Sequence, residues 1–134
     1  MKRGGRAEEW LELRRWAVVG ASDDPARYGH KILRVLIDAG FDATPIHPTL
    51  PEVLGVPCRA RVSEVEPPPD VVNMVVNPRT GLKVFEEIAA RGIKRAWMQP
   101  GTMSDAIGDF AAAHGIELVE DCVLIRLAGR FSDQ

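Results

Sequence analysis

Trp16-Ala17-Val18-Val19-Gly20-Ala21-Ser22-Asp23-Asp24-Pro25-Ala26-Arg27-Tyr28-Gly29-His30-Lys31-Ile32-Leu33-Arg34-Val35-Leu36 is the stretch that decides the fold. A short apolar run, Trp16 to Val19, ends in a Gly-Ala-Ser turn. A polar loop follows, and Gly29 opens an amphipathic helix. Strand, phosphate-sized loop and helix N-terminus are the parts of a nucleotide-binding βα unit, in the required order. Exposed N–H groups and the positive end of the helix dipole together seat an anion. Gly20 and Gly29 stand nine positions apart, so the loop departs from a GxGxxG fingerprint. Its place between strand and helix carries the reading. Ser22 can donate its hydroxyl to a phosphate and Arg27 can form charge-assisted bonds to one. Lys31 either adds charge or is a solvated surface cation. Asp23 and Asp24 would repel a diphosphate and are expected to face outward and shape the turn.

Outward from this unit the pattern alternates. Ala7 to Arg15 reads as a short helix on a sheet edge, with Trp10, Leu11 and Leu13 apolar among charges. Trp16 to Val19 is apolar throughout and is expected in a central, doubly covered strand. A helix from Gly29 or His30 to Ala39 stops at Gly40, in the left-handed conformation that glycine adopts cheaply. Asp42 to Ile46 is the second strand. Thr49 to Val62 reads as a loop with a short strand or turn near Val56 to Arg59. Ser63 to Glu66 is a helical turn, and Pro67-Pro68-Pro69 a stiff spacer. Asp70 to Val76 is a strand, about Thr80 to Arg91 a helix stopped by Gly92, and Lys94 to Met98 a strand. Ser104 caps a helix from Asp105 to His114, which Gly115 ends, and Glu117 to Val119 is the last parallel strand. The apolar Cys122 to Leu127 either continues that strand or forms a closing strand or turn near the ligand. The whole predicts one α/β domain over residues 1–134, with residues 1–6 a flexible tail. Its core is a Rossmann-like, open, mostly parallel sheet of about five strands with helices on both faces.

In such a sheet the ligand lies beyond the carboxyl ends of the strands. Those ends are Gly20-Ala21-Ser22, His47-Pro48, Asn77-Pro78 and Gln99-Pro100-Gly101. Each alone is an ordinary turn. Together they line one edge. The second strand discriminates further. A dinucleotide site for NAD uses a carboxylate about twenty residues beyond the loop to hold the ribose hydroxyls. Here Ile46-His47-Pro48 has none, which disfavours NAD and tolerates a phosphate on the adenosine ribose. NADP and coenzyme A both carry one. His47 either meets that phosphate or bonds its own loop; both readings stand.

Composition narrows the class. The chain has 134 residues, 46% hydrophobic and 27% charged, which suits one soluble domain. A net charge of −2 provides no basic footprint for nucleic acid. No run approaches the roughly 18 apolar residues of a membrane span. The basic Met1-Lys2-Arg3-Gly4-Gly5-Arg6 leads into no signal-peptide core, so the expected location is the cytoplasm. Cys58 and Cys122 are far apart and read as separate thiols.

Val18-Val19-Gly20-Ala21-Ser22, Pro25, Gly29, Gly40 and Ile46-His47-Pro48 together resemble the small stand-alone CoA-binding proteins. These share the nucleotide domain of the succinyl-CoA synthetase alpha subunit. The resemblance runs on through Glu52-Val53-Leu54-Gly55-Val56-Pro57, Pro69-Asp70-Val71-Val72 and Ala96-Trp97-Met98-Gln99-Pro100-Gly101. It ends around Gly115-Ile116-Glu117-Leu118-Val119 and Cys122, so that it covers about residues 16 to 127. It implies coenzyme A at the strand ends. Gly20, Ala21, Ser22, Arg27, Tyr28, Gly29 and His30 would then meet the phosphates. Ile46, His47 and Pro48 would flank the adenosine. Val76, Asn77, Pro78, Met98, Gln99 and Pro100 would line the path of the pantetheine arm. Three motifs depart from the family pattern. Ile46-His47-Pro48 stands for Val-Asn-Pro, Val76-Asn77 for Phe-Arg, and Glu120-Asp121-Cys122 for Asp-Arg-Cys. The last two each remove an arginine.

No catalytic constellation accompanies this edge. His30, His47 and His114 have no metal-ligand spacing with one another or with the cysteines. His114 suits the C-terminal end of its helix through the dipole. Cys122 reads as a small buried hydrophobe or as a thiol beside the thiol of the ligand. In the synthetase the phosphorylated histidine lies outside this domain. The expectation is therefore a coenzyme A or acyl-CoA binding module without chemistry of its own. The alternative is a small NADP- or nucleotide-dependent enzyme or enzyme subunit. A protein partner or a second copy of the chain stays open.

Overall fold

The computed structural model describes residues 3–132. Its elements follow the expected alternation. Helix α1 is Arg3–Trp10, strand β1 Arg15–Val19, helix α2 Tyr28–Asp38 and strand β2 Asp42–Ile46. A two-stranded hairpin, β3 Glu52–Val53 and β4 Val56–Pro57, precedes a single 3-10 turn at Val62–Glu64. Strand β5 Val71–Met74, helix α3 Pro78–Ala90, strand β6 Arg95–Met98, helix α4 Asp105–His114, strand β7 Glu117–Glu120 and helix α5 Val123–Ser132 complete it.

The sheet has five strands in the order β2-β1-β5-β6-β7, and every neighbouring pair is parallel. β1 is central: Trp16 pairs with Ala43 on one side and Val71 on the other. Alternation along the strands separates two cores. Trp16, Val18, Val71 and Trp97 face α1, α2 and α5; Ala17, Val19, Val72, Met74 and Met98 face α3 and α4. On the first face all three tryptophans meet. Trp16 and Trp97 ring centroids are 5.5 Å apart, and Trp10 and Trp97 6.5 Å. Two of the buried indoles have a backbone partner for the N–H: Trp16 donates to the Leu13 carbonyl (2.7 Å) and Trp97 to that of Asp121 (2.9 Å).

Several boundaries differ from expectation. The first helix is Arg3–Trp10 rather than Ala7 to Arg15, and it takes in residues expected as tail; residues 1–2 lie outside the described residues. Strand β5 is shorter than Asp70 to Val76: it ends at Met74, with one last bond from the Val75 N–H to the Val19 carbonyl (2.9 Å) before the chain turns to α3. That helix begins at Pro78, two residues early. Asn77 caps it by accepting from the Thr80 N–H (2.9 Å), and Pro78 takes the first helical position. Cys122 to Leu127 is neither strand nor turn but opens α5. Val123 and Leu127, four apart, fill the core while Ile125 between them is exposed. A short apolar run does not by its pattern separate strand from buried helix. The helix stops read at Gly40, Gly92 and Gly115 all have positive φ (88°, 70° and 67°). Both cysteines are free thiols.

Candidate functional site

The order β2-β1-β5 makes the end of β1 the place where the chain direction across the sheet reverses. Gly20 sits there at φ 96°, and a Cβ on it would meet Val76 Cγ1 at 3.0 Å and the Val75 carbonyl carbon at 3.2 Å. Gly29 is more constrained still: its Cβ would lie 1.9 Å from the Gly20 carbonyl oxygen. The two glycines let the first turn of α2 close directly on the end of β1. Arg27 holds the cap position of α2 without a side-chain cap bond, and no acidic residue occupies the first turn. The His30 and Lys31 N–H groups donate to the Arg27 carbonyl (3.1 and 3.2 Å), and those of Tyr28 and Gly29 have no hydrogen-bond partner among the described residues.

The loop is built by its own polar groups. The Ser22 hydroxyl oxygen accepts from the Asp24 N–H (3.0 Å) and keeps its O–H to donate. The Asp24 carboxylate accepts from the Ala26 N–H (3.0 Å) and lies 3.8 Å from Arg27 Nε. Asp23 and Asp24 are both exposed, facing outward as expected. His30 is buried, its Nδ1 3.0 Å from the Ser22 carbonyl oxygen, so it fastens the loop to α2. Ala21 is buried in the core under α2.

Two grooves open from this seat. The first, of about 230 Å³, is lined by Val19, Gly20, Ile46, His47, Pro48 and Val76, with Arg61, Val62, Thr80, Val84 and Glu87 opposite. His47 is occupied locally: Nδ1 accepts from the Thr49 N–H (3.1 Å) and the Leu50 N–H (3.0 Å). The loop bond expected as one reading of His47 is present. The second groove, of about 180 Å³, is lined by Tyr28, Val75, Val76, Asn77, Gln99 and Pro100, with Gly101, Thr102 and Cys122. Val76 belongs to both grooves. Pro78 stands behind Asn77 as the first residue of α3. Met98 borders a further groove with Glu120 and Asp121, yet its side chain is fully buried against the α3–α4 core.

Gln99 points into the protein rather than along the edge. Its carboxamide lies 2.9 Å from that of the buried Asn73. Oriented to satisfy its neighbours, its oxygen accepts from the Val123 N–H (3.2 Å) and Trp97 Nε1 (2.9 Å). It thereby holds the N-terminus of α5 against the end of β6. One polar atom of Asn73 is left without a partner among the described residues.

Arg61, Thr80, Val84 and Glu87 escaped the sequence reading. Arg61 reaches the groove because Arg59 bridges in parallel to Ile46. The Arg59 N–H donates to the Pro45 carbonyl and the His47 N–H to the Arg59 carbonyl, each at 3.0 Å. No local pattern announces that contact. The other three lie within the helix that the sequence predicted, four and three residues apart on one face of α3. Cys58, on the segment before Arg59, has its thiol pKa pushed up by burial and then by the nearby Glu52 carboxylate. Among the described residues no three His, Cys, Asp or Glu side chains are placed to hold a metal.

A parallel five-stranded α/β sheet with an open helix N-terminus at its switch point defines a nucleotide-binding class of Rossmann-like domain. Residues 14–128 match the family model described as CoA binding domain, and the chain belongs to that family. It is 30% identical over 113 residues to the uncharacterized protein YneT of Bacillus subtilis, covering 84% of each chain. It is 29% identical to the ADP-forming acetate–CoA ligase of Methanocaldococcus jannaschii, covering 84% of this chain but only 16% of the ligase. A conserved hypothetical protein from Pyrococcus furiosus has a similar structure, with TM-score 0.81 and 37% identity over 85% of this chain and 99% of that one. No described helix is long and apolar enough to cross a membrane.

Proposed function

We propose that the chain binds coenzyme A, free or acylated, along this edge and performs no chemistry of its own. The adenosine end occupies the groove at Ile46, Pro48 and Val76. The diphosphate lies on the Gly20–Gly29 loop, at the first turn of α2. The pantetheine arm runs past Val76 to Asn77 and Pro100. The observation that carries this reading is the continuity of the edge: Gly20 lines the first groove, Tyr28 the second, and Val76 both. Neither groove reaches the roughly 300 Å³ of an ordinary small-molecule pocket. Joined through an anion seat, they suit a long ligand with a charged middle.

Family membership supports the choice of coenzyme A, and the similarity to an acetate–CoA ligase agrees with it. The non-catalytic reading rests on the histidines. His30 bonds the Ser22 carbonyl, His47 the Thr49 and Leu50 amides, and His114 the Phe110 carbonyl at 2.9 Å. All three side chains hold backbone. We assign the domain to sensing the coenzyme or presenting it to a partner protein or a second copy of the chain. Titration calorimetry with CoA, acetyl-CoA, NADP and NAD tests the reading. CoA and acetyl-CoA are expected to bind and NAD to remain silent. Binding of NADP with silence toward both CoA forms would overturn it in favour of a nucleotide-dependent enzyme.

A further inference from the structure

We infer that Arg61 selects for a phosphate on the adenosine ribose, the feature by which the first groove tells a phosphorylated adenosine from a plain one. This rests on the coenzyme reading above and adds a specificity-determining residue to it. Sequence alone offered His47 for the task, but its Nδ1 already accepts two backbone N–H groups. That leaves only Nε2 of the ring to face a ligand.

Among the lining residues of this groove Arg61 is the one arginine or lysine, and Glu87 the one carboxylate. The Arg61 backbone is held on both sides. Arg59 is tied to β2 by its bridge to Ile46, and Val62 is buried in the core. Its side chain, 64% exposed, is steered by Glu87: Arg61 Nε is 3.6 Å from one Glu87 carboxylate oxygen. The other oxygen accepts from the Ser63 N–H (3.1 Å), which pins the carboxylate to the wall of the groove. Glu87 thus lies beside the guanidinium on its Nε side. Neither terminal nitrogen of Arg61 makes a hydrogen bond among the described residues.

A planar guanidinium with two free nitrogens matches phosphate geometry in a two-pronged bond. An exposed Arg–Glu pair by itself contributes little to folding. A ribose phosphate carries up to two negative charges at neutral pH. With an apolar floor of Val19, Ile46, Val76 and Val84 for the base, this cation at the rim is where such a phosphate gains most. The chemistry is shared by CoA, with its 3′-phosphate, and NADP, with its 2′-phosphate, so both are compared.

Calorimetry of the full chain, wild type, Arg61→Ala and Arg61→Lys, against CoA, dephospho-CoA, NADP and NAD tests the inference. Wild type should favour CoA over dephospho-CoA by about tenfold, the size of one charge-assisted contact at a half-open rim. Arg61→Ala should erase that ratio by weakening CoA alone, and Arg61→Lys should restore part of it. Equal wild-type affinity for CoA and dephospho-CoA, or an unchanged ratio in Arg61→Ala, would overturn the inference and leave the coenzyme A reading intact. No binding of either CoA form would overturn both, unless NADP binds over NAD in an Arg61-dependent way. That result would retain the phosphate contact and remove coenzyme A.

Discussion

Gly29 is the residue at which fold and site meet. A side chain there has no room, since even a methyl carbon would lie 1.9 Å from a backbone oxygen and 3.1 Å from the Ala21 Cα. Backbone atoms do not rotate aside as a flexible side chain does. Gly29→Ala is therefore expected to push α2 off the end of β1. The cost should be about 3 kcal/mol, the upper part of the range for overpacking. In a domain of this size that lowers Tm by roughly 10 °C. A Tm within a degree or two of wild type would show that the loop relaxes without strain. His47 illustrates the opposite case. Its type and position were legible in the sequence, but its partners were amides two and three residues on, and either role fits the same sequence.

At the scale of elements, α5 is the part the sequence pattern misread. Its start depends on groups far away in the chain. Gln99 accepts from the Val123 N–H, and Arg126 reaches both Asp121 (2.8 Å through Nε) and Glu8 of α1 (3.1 Å). The Asp121 hydrogen bond, the largest cause, raises the guanidinium pKa above its already high ordinary value. Arg126 is thus charged throughout the working pH range and ties α5 to the loop before it and to α1. Arg126→Met should keep the aliphatic packing and lose the tie. The partners are partly exposed, so the expected loss is about 1 kcal/mol. Thermal denaturation should show a fall in Tm of roughly 4 °C. No change would mean that packing of Val123 and Leu127 alone holds the helix. By contrast α2 and α4 were legible to within a residue or two, because a strong apolar period and a glycine stop are local signals. Ser104 was read as a cap and accepts from the Ile107 N–H (3.2 Å). Asn77 escaped notice as a cap because the proline after it reads equally well as a strand terminator.

For the whole molecule, strand order is what turns separate turns into one site. The alternation of strands and helices, with right-handed crossovers, made a parallel sheet legible. It did not show that β5 lies beside β1, which is what brings Val76 against Gly20. Nor did it show Arg61 at the groove, since that contact joins a loop to an edge strand across a dozen residues. Eight of the expected strand-end residues, Gly20, Ile46, His47, Pro48, Val76, Asn77, Gln99 and Pro100, border the two grooves, with Tyr28 beside them. Ala21 and His30 hold the scaffold behind, and the Gln99 carboxamide does so from the wall of the second groove. The central claim is that one extended ligand lies across both grooves with its diphosphate at α2. Amide chemical-shift mapping by NMR during a CoA titration tests it most directly. The Gly20, Ala21, Tyr28 and Gly29 amides are expected to shift together with those of His47, Val76 and Gly101, at one saturation point. Shifts confined to one groove, or an unmoved Gly20–Gly29 loop at saturation, would contradict it.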